Sequence, residues 1–351
     1  MDQNDYELPI PSFFEADMVQ QIWKVPYQER SAQAEAWAAE HDLKPAGQDA
    51  FKLGLLLVDV QNTFCMPGFE LFVAGRSGTG AVEDNIRLCQ FIYRNLGILT
   101  KVFATMDTHK AMQIFHPIFL VDSQGQHPEP MTMVSYEDVK KGKWKFNPAL
   151  AGTLGIDPDY GQRHLEHYTQ ELEERHKYNL TIWPYHAMLG GIGHALVPAV
   201  EEAVFFHTIA RLSQADFEPK GENSLSEHYS ILGPEVIEGP EGKQIGKHNF
   251  KFLYTLEKYD ALIIAGQAKS HCVSWTISDL LSDIQAKDAA LAEKVYLLED
   301  CTSPVVVPGV VDYTEQAEED FCHFAEAGMH RVKSTDPLPT WPGMEAVFTR
   351  S

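Results

Sequence analysis

The chain has few basic residues for its size and no long hydrophobic run. Its 351 residues include 28 Lys and Arg against 50 Asp and Glu, a formal net charge of −22 at pH 7. A surface this acidic repels the phosphates of nucleic acids and of anionic lipids, so we expect no nucleic-acid partner. No apolar stretch approaches the roughly 20 residues that cross a bilayer, and we expect no membrane partner either.

Paired cysteines and a targeting segment are also missing. The five cysteines stand singly along the chain, at positions 65, 89, 272, 301 and 322. Without a CxxC pair or a regular spacing they form no disulfide framework, and such usage is typical of a reducing compartment. Residues 1–6 are polar and acidic and lack the basic and apolar parts of a secretory signal. We therefore expect a cytoplasmic protein.

Short apolar runs alternate with helical patterns along the chain. Leu53–Val60, Leu99–Met106 and Ala261–Ala265 are nearly continuous apolar runs of the kind found in buried parallel strands. Val273–Ile284 has apolar residues at 273, 277, 280, 281 and 284, the spacing of an amphipathic helix. This alternation predicts an α/β protein with three layers, built around a doubly wound and mostly parallel sheet.

The composition along the chain predicts one α/β domain with additions. We place an N-terminal extension at residues 1–50, the domain at 51–335 and a C-terminal tail at 336–351. Residues 118–182 are polar and lack a long apolar strand, which indicates an insertion that forms a lid or an oligomer contact. Ala32–His41 is rich in Ala and Glu and predicts a helix. We expect it to pack on the body or on a neighbouring subunit, and we expect a homo-oligomer.

Cys272 lies between the predicted strand Ala261–Ala265 and the predicted helix Val273–Ile284. Open α/β sheets bind their ligands at the carboxyl ends of the strands. The N–H groups at a helix N-terminus favour a thiolate over a thiol. Cys272 is therefore a candidate nucleophile, and the alternative is a buried cysteine that only packs.

Two other predicted strands end in acidic residues. Asp59 ends the first apolar run, where its carboxylate either faces the ligand crevice or caps the following turn. Asp107-Thr108-His109 ends the second run, and His116 follows seven residues after His109. Carboxylate and imidazole together suit Zn²⁺, Fe²⁺ or Mn²⁺. An Asp-x-His pair is by itself a weak signal, because such pairs are common on protein surfaces.

The region after residue 182 contains two further short blocks. Trp183-Pro184-Tyr185-His186 places an imidazole beside a large aromatic face. Val204–Ala210 has the composition of a strand, and Lys220-Gly221 follows in a polar loop that runs to Tyr229-Ser230. Taken singly, a histidine in a turn is usually structural, and a lysine in a loop usually lies on the surface.

In this order, the blocks resemble the nicotinamidase branch of the isochorismatase-like cysteine hydrolases. The matching blocks are Asp59-Val60-Gln61-Asn62-Thr63-Phe64, Asp107-Thr108-His109, Trp183-Pro184-Tyr185-His186, Lys220-Gly221 with Tyr229-Ser230, and Gly266–Thr276. The resemblance covers roughly residues 53–120 and 183–310. It departs at Lys110, where the family often has Pro, and at Ala187, where Cys often follows the metal-binding His.

The resemblance implies a metal-dependent cysteine amidohydrolase that converts nicotinamide to nicotinate and ammonia, a reaction of NAD metabolism. It implies a catalytic triad of Cys272, Asp59 and Lys220. Extra residues over 211–219 separate the last predicted strand from Lys220, so His207 is kept as the alternative basic group.

The resemblance also implies one divalent metal ion, with Zn²⁺ preferred and Fe²⁺ or Mn²⁺ as alternatives. Its ligands would be Asp107, His109 and His186, with His116 as a candidate fourth. An oxyanion hole would use the backbone N–H groups of Ala268 and Cys272, next to a cis peptide between Gln267 and Ala268. Phe64 and Trp183 either form aromatic walls for the small-molecule amide substrate or pack in the core, and Tyr229 is a further candidate for substrate contact.

Two other interpretations stay open. The first is a hydrolase of the same family that acts on another small amide or ureido substrate. The second, from a different class, is a non-catalytic binding protein on the same fold. A cysteine far from Asp59 would favour the second.

Overall fold

The structure, a computed structural model, describes residues 7–348. Residues 1–6, which lack the pattern of a secretory signal, and the last three residues of the predicted tail lie outside the described residues. Among the helices of residues 7–348, none combines the length and the hydropathy that a membrane span requires.

The described strands and helices alternate along the chain. The strands are β1 Leu53–Val58, β2 Leu99–Asp107, β3 Leu120–Val121, β4 Met133–Val134, β5 Lys145–Phe146, β6 Leu180–Thr181, β7 Asp216–Lys220, β8 Ala261–Gly266, β9 Val295–Leu298, β10 Val306–Val307, β11 Val311–Asp312 and β12 His330–Val332. The α-helices are α1 Tyr27–Glu40, α2 Asn62–Cys65, α3 Gly80–Arg94, α4 Tyr136–Lys140, α5 Ala151–Leu154, α6 Pro158–Glu174, α7 Pro198–Ala210, α8 Phe250–Leu256, α9 Ser274–Lys287, α10 Thr314–Glu326 and α11 Glu345–Phe348.

A six-stranded sheet in the order β12-β9-β8-β1-β2-β7 is the centre of the fold. The pairs β1–β2, β1–β8, β8–β9 and β9–β12 are parallel. All six residues of β1 and all six of β8 are buried, as expected for central strands with both faces covered. The non-sequential strand order confirms the prediction of a doubly wound, mostly parallel α/β sheet.

The described chain divides into two compact units. One unit contains the chain up to Met106, Ala195–Glu218 and the chain from Phe250 onward, and the other contains Asp107–His194 with Pro219–Asn249. The predicted insertion at 118–182 falls inside the second unit. The predicted domain limits remain predictions.

In the first unit, the N-terminal helix packs on the body of the protein, which was one of the two predicted alternatives. Helix α1 lies against α7, and the Arg30 Nε–H donates to Glu202 Oε1 at 2.6 Å. The guanidinium of Arg30 also lies 4.0 Å from the centre of the Phe13 ring. The predicted oligomer stays a prediction.

The segment Val204–Ala210 is helical, and its prediction as a strand was wrong. It is the second half of α7, which begins with Pro198 at its first turn, a favoured position for proline. Most of α7 is buried, including Val204, Phe206 and Ala210. A helix covered on nearly all sides has no polar face, so its apolar run cannot be told from a strand by periodicity.

The second unit has its own buried residues and its own capped helices. Helix α6 begins with Asp157, whose Oδ1 accepts from the backbone N–H groups of Asp159 and Tyr160. Helix α4 begins with a capping box between Ser135 and Asp138. Buried apolar side chains of this unit lie within 114–120, 134–151, 165–187 and 229–236.

Candidate active site

Cys272 lies in the turn between strand β8 and helix α9, as the sequence predicts. Strand β8 ends at Gly266, the Gln267–Ala268 peptide is cis, and Lys269–Val273 forms a π-helical turn before α9. Such turns occur often at functional sites. The Cys272 side chain is buried, with 7% of its surface exposed. We call residues 267–273 the nucleophile turn.

Gly266 brings the nucleophile turn against strand β1. Its φ is +117°, and a Cβ at this position would overlap the Val58 carbonyl group. Only glycine therefore allows this approach. The Gln267 N–H donates to Val58 O at 2.8 Å, and Gly266 is the register partner of Val58. The nucleophile turn and Asp59 thus leave adjacent strands at the same level.

Asp59 is fully buried and held in an unusual backbone conformation. Its φ is +47°, in the left-handed region that costs a residue with a side chain roughly 1–2 kcal/mol. Its N–H donates to Thr105 Oγ1 at 3.0 Å, and the Thr105 hydroxyl donates back to Asp59 Oδ1 at 2.6 Å. These reciprocal bonds fix the carboxylate at the carboxyl end of β1, where the sequence analysis expected it.

In the second unit, Asp107, His109 and His186 form a buried cluster. Their ligand atoms all lie within 4.8 Å of one another. Asp107 Oδ2 lies 2.7 Å from His109 Nε2 and 3.6 Å from His186 Nε2. One carboxylate and two imidazoles are a ligand set that suits Zn²⁺, Fe²⁺ or Mn²⁺.

The orientation of both imidazoles fits a metal site. His109 Nδ1 lies 3.1 Å from Gly221 O, and His186 Nδ1 lies 2.8 Å from Pro184 O. A carbonyl oxygen only accepts, so in each ring the Nδ1–H is the donor and Nε2 is the atom directed at Asp107 Oδ2. At 2.7 Å, the His109 Nε2–H donates to Asp107 Oδ2, and a bound metal ion would take the place of that proton. Backbone carbonyls orient metal-binding histidines in this way.

The charges of the cluster favour a cation between the same atoms. Burial raises the pKa of the Asp107 carboxyl, but the His109 and Lys220 charges outweigh it and hold that pKa well below its usual range. Burial lowers the pKa of His109, yet the nearby Asp107 carboxylate raises it overall. The pKa of His186 is lowered, first by burial. A proton is therefore stabilised between Asp107 and His109.

Lys220 is buried beside this cluster and is not the surface lysine that a polar loop would predict. Its Nζ donates to Asp107 Oδ1 at 3.0 Å and to His228 O at 2.8 Å. Its side chain is 1% exposed. The ammonium thus has a carboxylate partner, which a buried charge requires.

Gly221 lets the backbone approach the cluster. Its φ is +83°, and a Cβ there would lie 2.6 Å from His109 Cε1 and 2.9 Å from Asp107 Oδ1. Its N–H donates to His228 Nδ1 at 3.1 Å. The two residues of the Lys220-Gly221 pair therefore have different effects. The lysine places a positive charge beside the cluster, and the glycine leaves room for the His109 and Asp107 side chains.

The candidate fourth ligand, His116, is adjacent to the cluster. Its ring centre lies 6.0 Å from that of His109 and 5.9 Å from that of His186. Burial, followed by the charges of those two histidines, lowers its pKa to about 3, so the ring is neutral. Within residues 7–348, its buried Nε2 has no hydrogen-bond partner. Its role as a ligand stays a prediction.

The expected substrate contacts are all buried. In the second unit, the Trp183 indole N–H donates to the Tyr229 hydroxyl at 3.2 Å. In the first unit, Phe64 is 8% exposed and lies in α2, directly after the strand end that carries Asp59. The structure tests none of these residues as substrate contacts.

His207, the alternative basic group, lies at the other end of strand β2. Its Nε2–H donates to the carbonyl of Leu99, the first residue of β2, at 2.9 Å. Asp107 is the last residue of that strand. Whether Lys220 or His207 supplies the basic group stays a prediction.

Glu227 was missed by the sequence analysis. It is buried, and burial raises its pKa to about 7 against the opposing charge of His109. The His228 N–H donates to its Oε1 at 3.0 Å. An acid in a polar loop has no periodic signal, and its position directly before His228-Tyr229-Ser230 was the available indication.

Comparison with known proteins gives structural neighbours alone. No family model and no curated protein matches the sequence. A nicotinamidase/pyrazinamidase of Acinetobacter baumanii is 17% identical, with 82% of this chain and 99% of that chain covered and a TM-score of 0.48. The yeast nicotinamidase Pnc1p bound to the inhibitor nicotinaldehyde is 15% identical, with 80% and 99% covered and a TM-score of 0.48. The pyrazinamidase of Pyrococcus horikoshii in complex with zinc is 18% identical, with 80% and 99% covered and a TM-score of 0.39. All three are named as nicotinamidases or pyrazinamidases, the class that the sequence blocks resemble.

Proposed function

We propose that this protein is a metal-dependent cysteine amidohydrolase that hydrolyses a heteroaromatic carboxamide, nicotinamide in the first place, to the acid and ammonia. One observation carries the proposal. A buried cysteine lies in a turn that leaves β8 at the same level at which Asp59 leaves the neighbouring strand β1. A nucleophile paired with a carboxylate at the carboxyl ends of central strands is an arrangement for covalent catalysis.

In this mechanism, the Cys272 thiol gives its proton to Asp59 as its sulfur attacks the amide carbon. The proton then passes to the departing nitrogen, ammonia leaves, and a thioester remains on Cys272. Water, deprotonated by Asp59, attacks the thioester, the C–S bond breaks, and the acid is released. The Cys272 thiolate takes the proton back from Asp59. The backbone N–H groups of Ala268 and Cys272 would stabilise the oxyanion, and the loss of one such donor costs about 3 kcal/mol.

A carboxylate is a weak base for a thiol. At their ordinary pKa values, transfer of the proton from the thiol to the carboxylate costs about six kcal/mol. In the proposal, Lys220 and the N–H groups at the start of α9 narrow this gap because they stabilise the thiolate. The complete burial of Asp59 works in the same direction, since burial disfavours its charged form.

The Asp107, His109 and His186 cluster would hold the divalent ion. When bound, the ion supplies an open coordination position for a heteroatom of the substrate, which orients the amide. The chain's own contribution is the fixed direction of both Nε2 atoms, set by Gly221 O and Pro184 O.

The test is ammonia release from nicotinamide by zinc-loaded protein, with Cys272→Ala as the blank. We expect release by the wild type and at least a thousandfold loss in the variant, since the nucleophile is removed. Circular dichroism and zinc content should be unchanged, because Cys272 is not one of the three candidate ligands. Turnover by Cys272→Ala at the wild-type rate would refute the mechanism.

The same assay separates the alternatives. If another amide or ureido compound releases ammonia and nicotinamide does not, the proposed mechanism stands and the proposed substrate is wrong. The third outcome is a protein that binds zinc but hydrolyses no carboxamide, and whose Cys272 does not react with iodoacetamide. That result would support the non-catalytic binding protein.

A further inference from the structure

A buried hydrogen-bond chain joins helix α3 to the nucleophile turn. Gln267 is the first residue of that turn and is fully buried. Its Nε2–H donates to Asp84 Oδ2 at 2.8 Å, and its Oε1 accepts from the Ser303 N–H at 3.2 Å. One end of the Gln267 amide is therefore fixed by α3 and the other by the segment after β9.

Asp84 is itself held in place. It is 2% exposed, and its Oδ1 accepts from Arg87 Nη2 at 2.9 Å. Burial raises the pKa of Asp84 to about 6, against the hydrogen bonds from Ser303 and Gln267 and the Arg87 charge. A carboxylate buried this deeply costs free energy unless it is fully hydrogen-bonded, so Asp84 and Gln267 depend on each other.

The same segment fastens the turn on the other side of Ala268. The Lys269 N–H donates to Ser303 O at 2.8 Å, and the Val305 N–H donates to Ser270 Oγ at 3.0 Å. Together with the Gln267 bonds, these contacts anchor the residues before and after Ala268. Donors that stabilise an oxyanion must be held within a fraction of an ångström of their working positions.

We propose that Asp84 is a positioning residue for the nucleophile turn: through the Gln267 amide it fixes the backbone that presents Ala268 and Cys272. Asp84 acts through Gln267 and does not touch the substrate. Its effect on turnover rests on the proposed function, whereas its effect on the environment of Cys272 does not.

The test exchanges the two partners. Gln267→Glu places a second carboxylate against Asp84, and Asp84→Asn leaves one oxygen to serve both Arg87 and Gln267. In the double variant, the new amide at position 84 donates to the new carboxylate at position 267. That carboxylate still accepts from the Ser303 N–H, and the amide oxygen at position 84 still accepts from Arg87.

Two readouts are measured: kcat and KM for ammonia release, and the rate at which iodoacetamide alkylates Cys272, followed on its peptide by mass spectrometry. We expect each single variant to lower kcat about tenfold or more with little change in KM, because a displaced turn weakens transition-state contacts. We expect Gln267→Glu to slow alkylation, since the added negative charge disfavours the thiolate. The double variant should recover most of both losses.

Asp49→Asn is the matched control. Asp49 is another hydrogen-bonded acid of the first unit, bound by Arg211 Nη2 at 2.6 Å and 2.7 Å, and it does not contact the nucleophile turn. We expect a lower Tm with unchanged kcat and alkylation. If Gln267→Glu does not fold by circular dichroism, Gln267→Met removes both bonds without adding charge and should show the same loss of kcat.

A double variant no better than the worse single variant would overturn the inference, and so would an equal kcat loss in Asp49→Asn. If the wild type releases ammonia from no carboxamide, the proposed function fails. In that case the alkylation rates of the wild type, the two single variants and the double variant still decide whether Asp84 positions the turn.

Discussion

Gly221→Ala should abolish tight metal binding, because the new methyl group would occupy the space of the ligands. At φ +83°, the added Cβ would lie 2.6 Å from His109 Cε1 and 2.9 Å from Asp107 Oδ1. The imidazole would have to move by roughly 0.8 Å before the contact reached an ordinary van der Waals distance. Ligand distances in metal sites tolerate about 0.2 Å.

The expected effect is a loss of about 100-fold or more in zinc affinity, close to 3 kcal/mol, since displaced ligands cannot all bind at once. The backbone conformation adds roughly 1–2 kcal/mol of destabilisation, which is not specific to the site. Gly125→Ala is the matched control, because Gly125 has φ +79° and an added Cβ would meet nothing within 4 Å.

Zinc affinity is measured for both variants and the wild type by competition with a chromophoric chelator, and Tm is measured without metal. We expect both variants to lose stability, Gly221→Ala by more because its Cβ overlaps His109, and Gly221→Ala alone to lose zinc affinity. Equal zinc affinity in the two variants would show that the cluster does not bind metal with the geometry described here.

Two further changes test the charges of each unit. Asp107→Ala removes the carboxylate that pairs with the buried Lys220 ammonium, so we expect the free energy of unfolding in urea to fall by about 3–5 kcal/mol with a chelator present. The added change Lys220→Met should restore most of the lost free energy of unfolding. Burial lowers the pKa of His207 from 6.5 to about 4, so the unfolded chain binds more protons between these values, and stability falls as pH drops through this window. His207→Gln should remove roughly 3 kcal/mol of this loss in urea titrations at pH 7 and pH 4.

The controls for these two changes follow from the same contacts. A double variant of Asp107 and Lys220 as unstable as Asp107→Ala would mean that the lost partner charge is not the cause. For His207, the control is the wild-type protein, measured at the same two pH values. An unchanged pH dependence in His207→Gln would show that another group titrates.

Much of the fold and several site residues could be predicted from local pattern. The apolar runs of β1, β2 and β8 have one environment on both faces, so composition alone identifies them. A residue at the end of such a strand lies at the ligand-binding edge whatever the rest of the chain does. Asp59, Asp107 and Cys272 could be found for that reason.

Helix α7 shows where local pattern fails. Its burial removes the polar face that would reveal a helical period, so the apolar pattern of Val204–Ala210 predicts a strand where the structure has a helix. The burial of Lys220 could not be predicted from local pattern either, because a lysine in a polar segment is expected to be exposed. The Asp107 carboxylate stabilises the buried ammonium.

By itself, the sequence determined the type of sheet, the strand ends that carry candidate site residues, and the set of blocks that resembles the cysteine hydrolases. The tertiary structure decided which of those residues meet. Asp107 and Lys220 are 113 positions apart, and Asp84 and Gln267 are 183 apart. Such pairs depend on how the strands are ordered and on where two glycines let the backbone approach, and no local period encodes either property.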